Sequence, residues 1–240
     1  MKPNYTVLLA LCLFLGSGLM AKSKKILIFC KTAGYHHSSI PVAVKAIQQL
    51  GKTNKFSVDT TTNSALFTEN NLKKYDAVVF LSTTGDVLNP SQQEAFENYI
   101  KSGKGFVGIH AATDTEYDWP WYGKLVGAYF AAHPKQQEAV LNIVDRNHVA
   151  TKHLPSPWKR KDEWYNFKSL QNGLNVLITI DEKSYNPGAK EMGDHHPMSW
   201  YHEYDGGRAF YTALGHTEES YADPLFLKHI LGGIKYATGK

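Results

Sequence analysis

Short apolar runs alternate with amphipathic segments over the first 110 residues, and this alternation restricts the possible folds. The apolar runs are Lys24–Lys31, Phe56–Thr60, Asp76–Leu81 and Gly105–Ile109, and the segments with helical spacing are Ser39–Leu50, Thr68–Lys74 and Pro90–Ser102. Apolar runs without polar alternation are typical of parallel strands buried on both faces. Strands that alternate with helices predict an α/β domain, a parallel sheet with helices on both faces.

Local signals predict where the first helix begins and ends. Ser38 or Ser39 is expected to cap its N-terminus, because serine side chains accept hydrogen bonds from free backbone N–H groups there. Gly51 is expected to end it.

The second half of the chain is less regular. An amphipathic helix is predicted over Trp119–Phe130, a loop-rich segment over Arg146–Asp162 and a closing helix over Asp223–Tyr236. The predicted strands are Glu138–Val144, Glu163–Phe167, Val176–Ile180, Met198–Glu203 and Arg208–Leu214. One domain over residues 22–240 is the simplest organisation.

The N-terminus has the order of a secretory signal peptide. Lys2 is followed by the apolar run Val7–Leu15 and by small residues at 16–18 and at Ala21. A membrane-spanning helix needs about 20 apolar residues, so this run is too short for a stable anchor. We therefore expect residues 1–21 to be a signal peptide and the protein to be exported, to the periplasm or the cell exterior. Cys30 is then the one remaining cysteine, expected in the core without a disulfide.

The charge pattern excludes one class of partner. The formal net charge is +4, and the basic residues are scattered rather than gathered in a patch, so nucleic acid is not expected as a partner. The short run Lys159–Lys161 is followed at once by acidic residues and is interpreted as a solvated loop. Oligomeric state is left open.

Histidines follow three of the strands that are predicted to be buried. His36 and His37 follow the first strand, His110 follows the fourth, and His216 follows the strand that ends near Leu214. Ligands of parallel sheets bind beyond the carboxyl ends of the strands, where these side chains should converge. Thr113 and Asp114 follow His110 and are polar partners, although either could simply cap the helix predicted at Trp119.

Three chemistries are considered for such a site. His110 with His37 or His216 could share acid and base work, with Glu163 or Asp114 as orienting carboxylate. Alternatively, histidine and carboxylate side chains could bind a divalent metal ion, and no other cofactor is expected. No HExxH or paired-cysteine spacing is present to support a metal site. A serine triad is discounted, because no Gly-x-Ser-x-Gly turn follows a strand.

Aromatic residues cluster in the irregular second half. The chain has 14 Tyr and 5 Trp. Such rings usually fill cores, but beside polar groups they also suit the apolar faces of sugars. A small carbohydrate is therefore the expected ligand.

A series of motifs carries a family resemblance. The segments are Gly34–Ile40, Gly105–Asp114, Phe130–Pro134, Asp162–Tyr165, His196–Trp200 and Gly207–Thr217. In this order they resemble the ThuA-like (trehalose utilisation) family over about Lys24 to Gly239. The resemblance implies a three-layer fold of the flavodoxin-like, class I glutamine amidotransferase-like type. Amidotransferases keep a cysteine in the turn that here reads His110-Ala111-Ala112, so glutaminase activity is not expected.

The resemblance also implies a function in disaccharide catabolism, on sugars first oxidised to their 3-keto forms. His110 is then the candidate base, His37 and His216 are donors, and Glu163 orients. The candidate substrate-binding residues are His36, Ser39, Thr113, Asp114, Trp121, Tyr165, Trp200 and His202. Two alternatives stay open: a carbohydrate-binding protein without catalysis, and a metal-dependent hydrolase of another substrate.

Overall fold

The computed structural model describes residues 23–239, so the signal peptide predicted at residues 1–21 lies outside the described residues. The strands are β1 (Lys25–Phe29), β2 (Ser57–Thr61), β3 (Ala77–Leu81), β4 (Gly105–Ile109), β5 (Tyr129–Ala132), β6 (Gln137–Ile143), β7 (Trp158–Asp162), β8 (Asn166–Lys168), β9 (Asn175–Asp181), β10 (Pro197–Tyr204) and β11 (Gly207–Thr212). The α-helices are α1 (Ile40–Asn54), α2 (Glu69–Leu72), α3 (Pro90–Lys101), α4 (Pro120–Val126) and α5 (Pro224–Thr238).

A nine-stranded sheet in the order β2-β1-β3-β4-β11-β10-β9-β6-β7 organises the domain. The five strands from β2 to β11 are parallel and have the flavodoxin-like order. From β11 through β7 every pairing is antiparallel. The α/β prediction is confirmed, with the correction that the sheet is mixed, because the second half of the chain adds four antiparallel strands to its edge.

Helices cover both faces of the parallel part. On one face Phe80 and Phe106 contact Phe96 of α3 and Tyr122 of α4. On the other face α5 packs directly on β11, with α1 beside it. Burying a large apolar side chain of this kind stabilises the fold by about 1.5–3 kcal/mol. These layers hold the ends of β1, β3, β4 and β11 in fixed positions at one edge.

The first helix departs from its predicted boundaries. Gly51 does not end α1, because it is buried against Phe56 and Val58, and the helix continues to Asn54. The chain leaves the helix at Lys55, which adopts a left-handed conformation with φ of 58°. Ser39 stands at the N-cap position, but its hydroxyl donates to the carbonyl of Gly215 instead of capping.

The second half contains three corrections. The helix predicted over Trp119–Phe130 ends at Val126, since Gly127 turns the chain with φ of +95° and β5 follows. Residues 158–162, predicted as loop, form β7. Of the strand predicted over Glu163–Phe167, the first three residues lie outside regular structure, and the short β8 begins at Asn166.

Arg160 corrects the interpretation of the basic run as a solvated loop. Its guanidinium lies between the rings of Trp158 and Phe226 and pairs with Asp162 at 3.0 Å. Its side chain is only 7% exposed. The positive charge of Arg160 is therefore part of a buried ion pair with Asp162.

Within residues 23–239, none of the helices combines the length and the apolar character that crossing a bilayer requires.

Candidate active site

Four side chains that are far apart in sequence meet at the carboxyl edge of the parallel strands. His37 follows β1, His110 follows β4, His216 follows β11, and Glu163 follows β7 of the antiparallel extension. One ligand-type atom from each lies within 4.8 Å of the others. We call these residues the histidine–glutamate cluster.

The side-chain position of His110 is set by its place directly after β4 and by its backbone conformation. It has a φ of +52°, a left-handed conformation that non-glycine residues rarely adopt outside constrained sites. Nδ1 lies 2.8 Å from the carbonyl oxygen of Ala213, which can only accept, so Nδ1 carries the proton. Nε2 lies 3.1 Å from Nδ1 of His216 and 3.5 Å from Oε2 of Glu163.

Glu163 connects the histidines. Oε2 lies 3.0 Å from Nδ1 of His216, and Oε1 lies 3.2 Å from Nδ1 of His133. Burial acts to raise the pKa of Glu163, but hydrogen bonds from His110 and His216 outweigh it and hold that pKa below its ordinary range. The side chain is therefore an anion at neutral pH.

His37 closes the cluster on one side. Its ring packs edge-on against His110 and His216, with centroids 4.7 and 5.1 Å away. Nδ1 of His37 is buried and has no hydrogen-bond partner among residues 23–239. Burial, with repulsion from His110 and His216, lowers the pKa of His37 to about 3. It is a neutral imidazole near pH 7.

Asp162, which the sequence interpretation did not select, holds the cluster in place. It is fully buried. Its carboxylate accepts hydrogen bonds from the backbone N–H groups of Glu163, Gly215 and His216, from Arg160 and from the Ser220 hydroxyl. One carboxylate thus ties the end of β7 to the loop after β11. Asp162 is a positioning residue for Glu163 and His216.

The cluster forms one wall of an open cavity of about 370 Å³. That volume lies within the range of small-molecule sites. Its lining residues are Tyr35, His37, Asp114, Phe130, His133, Gln136, Glu163, Tyr165 and His216. The lining combines polar and aromatic side chains.

The structure brings together six of the twelve predicted site residues. His37, Glu163, His216, Asp114 and Tyr165 line the cavity, and His110 lies directly behind them, fully buried. Two others support this arrangement from below. The Ser39 hydroxyl bonds the carbonyl of Gly215, and Thr113 bonds the hydroxyl of Tyr211.

The remaining four predicted residues lie outside the cavity lining. His36 is exposed and bonds Thr32. Trp200 is fully buried in the core, and His202 bonds the carbonyl of Lys124. Trp121 donates to Asp205, in the turn that precedes β11 and therefore at the opposite edge of the sheet. The alternation of side chains along a strand and the packing of distant segments decide which aromatic rings face the cavity, and the number of aromatic residues does not.

His133 is a cavity residue that the sequence interpretation did not place in the site. It lies in the loop after β5 with its side chain 42% exposed. Nδ1 faces two acceptors, Oε1 of Glu163 at 3.2 Å and the carbonyl of Pro134 at 2.9 Å. The proton is therefore on Nδ1, and Nε2 is free to accept another. Its place in the motif Phe130–Pro134 was the available signal.

No cysteine or serine lines the cavity among the described residues. Cys30, at the end of β1, is 5% exposed, and burial raises the pKa of its thiol. The arrangement therefore suits proton transfer, or binding of a cation by imidazole and carboxylate, rather than nucleophilic attack by a thiolate or a hydroxyl.

Comparisons with known structures agree with this architecture. The chain is 24% identical to a ThuA-like protein from Parabacteroides merdae, covering 91% of each chain with a TM-score of 0.73. A ThuA-like protein from Bacteroides uniformis has 23% identity and a TM-score of 0.74, covering 90% of this chain and 93% of its own. A β-galactosidase from Rahnella matches at 17% identity and a TM-score of 0.58 over 90% of this chain, but over only 32% of that enzyme. At these identities the likeness shows the fold alone.

Curated proteins offer no match to this sequence. The model of the ThuA family, described as trehalose utilisation, matches residues 25–237. That match covers nearly the whole chain and includes every residue of the histidine–glutamate cluster. The chain belongs to the ThuA family, whose broad role is trehalose utilisation.

Proposed function

We propose that this protein is an enzyme of carbohydrate catabolism that acts on 3-keto-disaccharides or related keto-glycosides. The observation that carries the proposal is the convergence of His37, His216 and Glu163 on the wall of a cavity of about 370 Å³, with His110 directly behind them. Membership of the ThuA family supports the substrate class, because the family is described as trehalose utilisation and trehalose is a disaccharide.

The chemistry of a keto sugar explains why such a site is needed. A carbonyl at C3 acidifies the C–H bond at C2, so that a base can remove the proton and leave an enolate. The enolate expels the oxygen at C1, whose bond electrons leave with it, and the departing oxygen takes up a proton. The products are an unsaturated keto sugar and a free alcohol. An enzyme for this elimination needs a base and a positive centre that stabilises the enolate oxygen.

His133 has the properties of the base. Nδ1 is held protonated by Glu163 and Pro134, so Nε2 can take the C2 proton and return it to the departing oxygen. His110, the base expected from the sequence, is fully buried behind the cavity lining, and Nε2 points at other cluster residues. We therefore assign proton transfer to His133 and Glu163 and leave His110 within the positive centre.

The positive centre lies where His110, His216 and Glu163 meet. A cation at this point, whether a proton shared by the imidazoles or a bound ion, would face a keto oxygen in the cavity. Glu163 acts on both sides, because Oε2 contacts the centre and Oε1 contacts His133. This arrangement aligns the base and the electrophile through one carboxylate.

The rest of the lining suits a sugar. The rings of Phe130 and Tyr165 pack together, with centroids 4.4 Å apart, and present apolar surface. Asp114 accepts the Tyr117 hydroxyl through Oδ1, which leaves Oδ2 for a sugar hydroxyl. Tyr35 is 65% exposed at the rim, where it can cover a bound ring.

Product analysis tests the proposal directly. The purified protein is incubated with 3-keto-trehalose and, separately, with trehalose, and products are identified by mass spectrometry and NMR in deuterated water. We expect consumption of the keto sugar only, with deuterium incorporated at C2 of the unreacted keto sugar and no hydrogen at C2 of the unsaturated product. Absence of any reaction with a panel of 3-keto-disaccharides would overturn the proposal.

We also propose that the protein is exported, on the basis of the apolar segment and small residues within positions 1–21. Cell fractionation with N-terminal sequencing of the recovered protein tests this. We expect a mature N-terminus shortly after Gly18 or Ala21 in the non-cytoplasmic fraction. A protein that keeps Met1 and stays with the cytoplasm would contradict it.

A further inference from the structure

We infer that Nε2 of His110, Nδ1 of His216 and Oε2 of Glu163 bind one divalent transition-metal ion of the zinc class, with His37 beside them. The inference deepens the proposed function, since the ion would supply the positive centre that the proposal requires. It rests on geometry that can be tested without any sugar.

The three atoms form a triangle of the size that metal ligands form. Its sides are 3.0, 3.1 and 3.5 Å. Ligands about 2.1 Å from a zinc ion are separated by about 3.4 Å in a tetrahedron and by about 3.0 Å across a right angle. A single ion can therefore contact all three atoms without moving the backbone that carries them.

The ring orientation of His110 leaves Nε2 available as a ligand. Nδ1 of His110 donates to the carbonyl of Ala213, so the neutral ring presents a lone pair on Nε2 towards Nδ1 of His216 and Oε2 of Glu163. Metal binding would displace any hydrogen on Nδ1 of His216, whose neutral ring can carry its proton on Nε2 instead. All three atoms would then offer lone pairs to one ion.

His37 gives a second and independent observation. Its residue surface is 3% exposed, yet Nδ1 has no partner among the described residues. An unpaired buried imidazole nitrogen costs free energy of desolvation unless something binds it. One ring nitrogen of His37 belongs to the same group of ligand atoms within 4.8 Å, so the ion would lie beside this ring.

The supporting contacts are those that metal ligands usually have. Ligating histidines commonly donate their second ring N–H to a carbonyl, as His110 does to Ala213 at 2.8 Å. The ligating residues Glu163 and His216 are both fixed through their backbone N–H groups by Asp162. Asp162 thus holds two of the ligating residues in position without contacting the ion itself.

The donor set selects the class of ion. Imidazole nitrogens favour zinc, copper, iron or nickel, whereas magnesium and calcium prefer oxygen ligands. Two or three imidazoles with one carboxylate also match catalytic zinc sites, which keep an open position for substrate. The open position here would face the cavity, where the keto oxygen of the proposed substrate lies.

Metal titration of the full-length protein tests the inference. The protein is stripped with a chelator and titrated with Zn²⁺ by calorimetry, with Mg²⁺ in parallel, and the bound metal is counted by mass spectrometry. Co²⁺ is then used as a spectroscopic probe, because its visible absorption reports coordination. We expect one Zn²⁺ per chain, no binding of Mg²⁺ and a Co²⁺ spectrum of low coordination number.

Variants locate the ion. His216→Ala and Glu163→Gln should each weaken Zn²⁺ binding at least about a hundredfold, a larger effect than loss of an outer-shell partner. The matched control is His148→Asn, which replaces a half-buried histidine that stacks on Tyr201 far from the cluster and keeps an acceptor for the Ala150 N–H. This control should bind Zn²⁺ like the parent, and thermal unfolding of each stripped variant confirms that it is folded.

The outcomes separate this inference from the proposed function. Failure to bind Zn²⁺, or full binding by both cluster variants, would overturn the metal site, even if keto sugars are turned over. Stoichiometric Zn²⁺ lost in the cluster variants supports the site, even if no keto sugar reacts. Turnover that stops with chelator and returns with Zn²⁺ would support both.

Discussion

The parallel and antiparallel parts of the sheet contribute different things to the same site. The parallel part supplies His37, His110 and His216 at the ends of its strands, where the topology itself brings them together. The antiparallel extension supplies the Glu163 carboxylate from the end of β7. The imidazoles follow from a general property of the fold, whereas the charge that organises them comes from an addition to it.

This difference indicates which substitutions should disrupt the site. The two parts are joined along the pairing of β11 with β10, and at the cluster the Glu163 carboxylate contacts His110 and His216 of the parallel part. A change in a carboxylate on the antiparallel side should therefore affect activity more than a comparable change elsewhere in the core.

The largest expected effect comes from Glu163→Gln. It keeps the shape of the side chain but removes the anion that contacts His110, His133 and His216. We expect kcat/KM for a 3-keto-disaccharide to fall about a thousandfold, which corresponds to about 4 kcal/mol of transition-state stabilisation. Steady-state kinetics measures it.

The matched control is Glu116→Gln, in the parallel part. Glu116 is a buried carboxylate that accepts the N–H groups of Val87 and Leu88, away from the cavity lining. It should lower the free energy of unfolding by about 1–3 kcal/mol without a comparable loss of turnover. Equal kinetic losses in the two variants would erase the distinction between the parts.

A smaller effect is expected from Asp162→Asn. The carboxylate accepts the backbone N–H groups of Gly215 and His216 and pairs with the buried Arg160. Removing one partner of a buried ion pair costs about 3–5 kcal/mol of stability, which chemical denaturation would measure. Because Asp162 acts through His216 and Glu163, kcat should fall while KM changes little. A change in KM alone would indicate that it touches the substrate.

A buried histidine outside the cluster should make the stability of the fold depend on pH. His229 in α5 is fully buried, with Nδ1 on the carbonyl of Ala150, and burial lowers its pKa to about 3. In the unfolded chain it takes up a proton near pH 6.5, so the folded state loses stability as pH falls from 6.5 towards 3.

The variant His229→Asn should make that loss less steep. One histidine contributes a slope of about 1.4 kcal/mol per pH unit below its unfolded pKa. We expect denaturation curves between pH 6 and 4 to show a slope smaller by about that amount, with turnover at pH 7 retained. An unchanged slope would mean that His229 is protonated in the folded protein.

The smallest effect concerns the aromatic wall. Phe130→Ala removes a ring that packs on Tyr165 in the cavity, and we expect KM to rise about fivefold to tenfold, on the scale of one aromatic contact. The control is Tyr204→Ala. Tyr204 is the last residue of β10 and packs beside Trp121, at the opposite edge of the sheet from the cavity, so this variant should leave KM unchanged. The same shift in both variants would argue that the effect is structural.

Much of the parallel part could be predicted from residues alone. The strand Gly105–Ile109 has its predicted bounds, and α3 begins at Pro90 behind an Asn89 cap. These elements are encoded locally, by unbroken apolar runs and by capping residues whose effect extends over a few positions. The convergence of three strand-end histidines followed from them, because parallel strands end at one edge.

The order of residues was enough to predict the α/β class, the parallel core and the histidines at its edge. Other features depend on contacts made in the folded chain: β6, β7, β9 and β10 run antiparallel, Arg160 is buried, and Trp200 fills the core. The tertiary structure also separates two adjacent carboxylates, since Asp162 holds backbone N–H groups while Glu163 faces the imidazoles. Strand direction and side-chain partners depend on contacts between distant residues, and no local pattern of polarity records them.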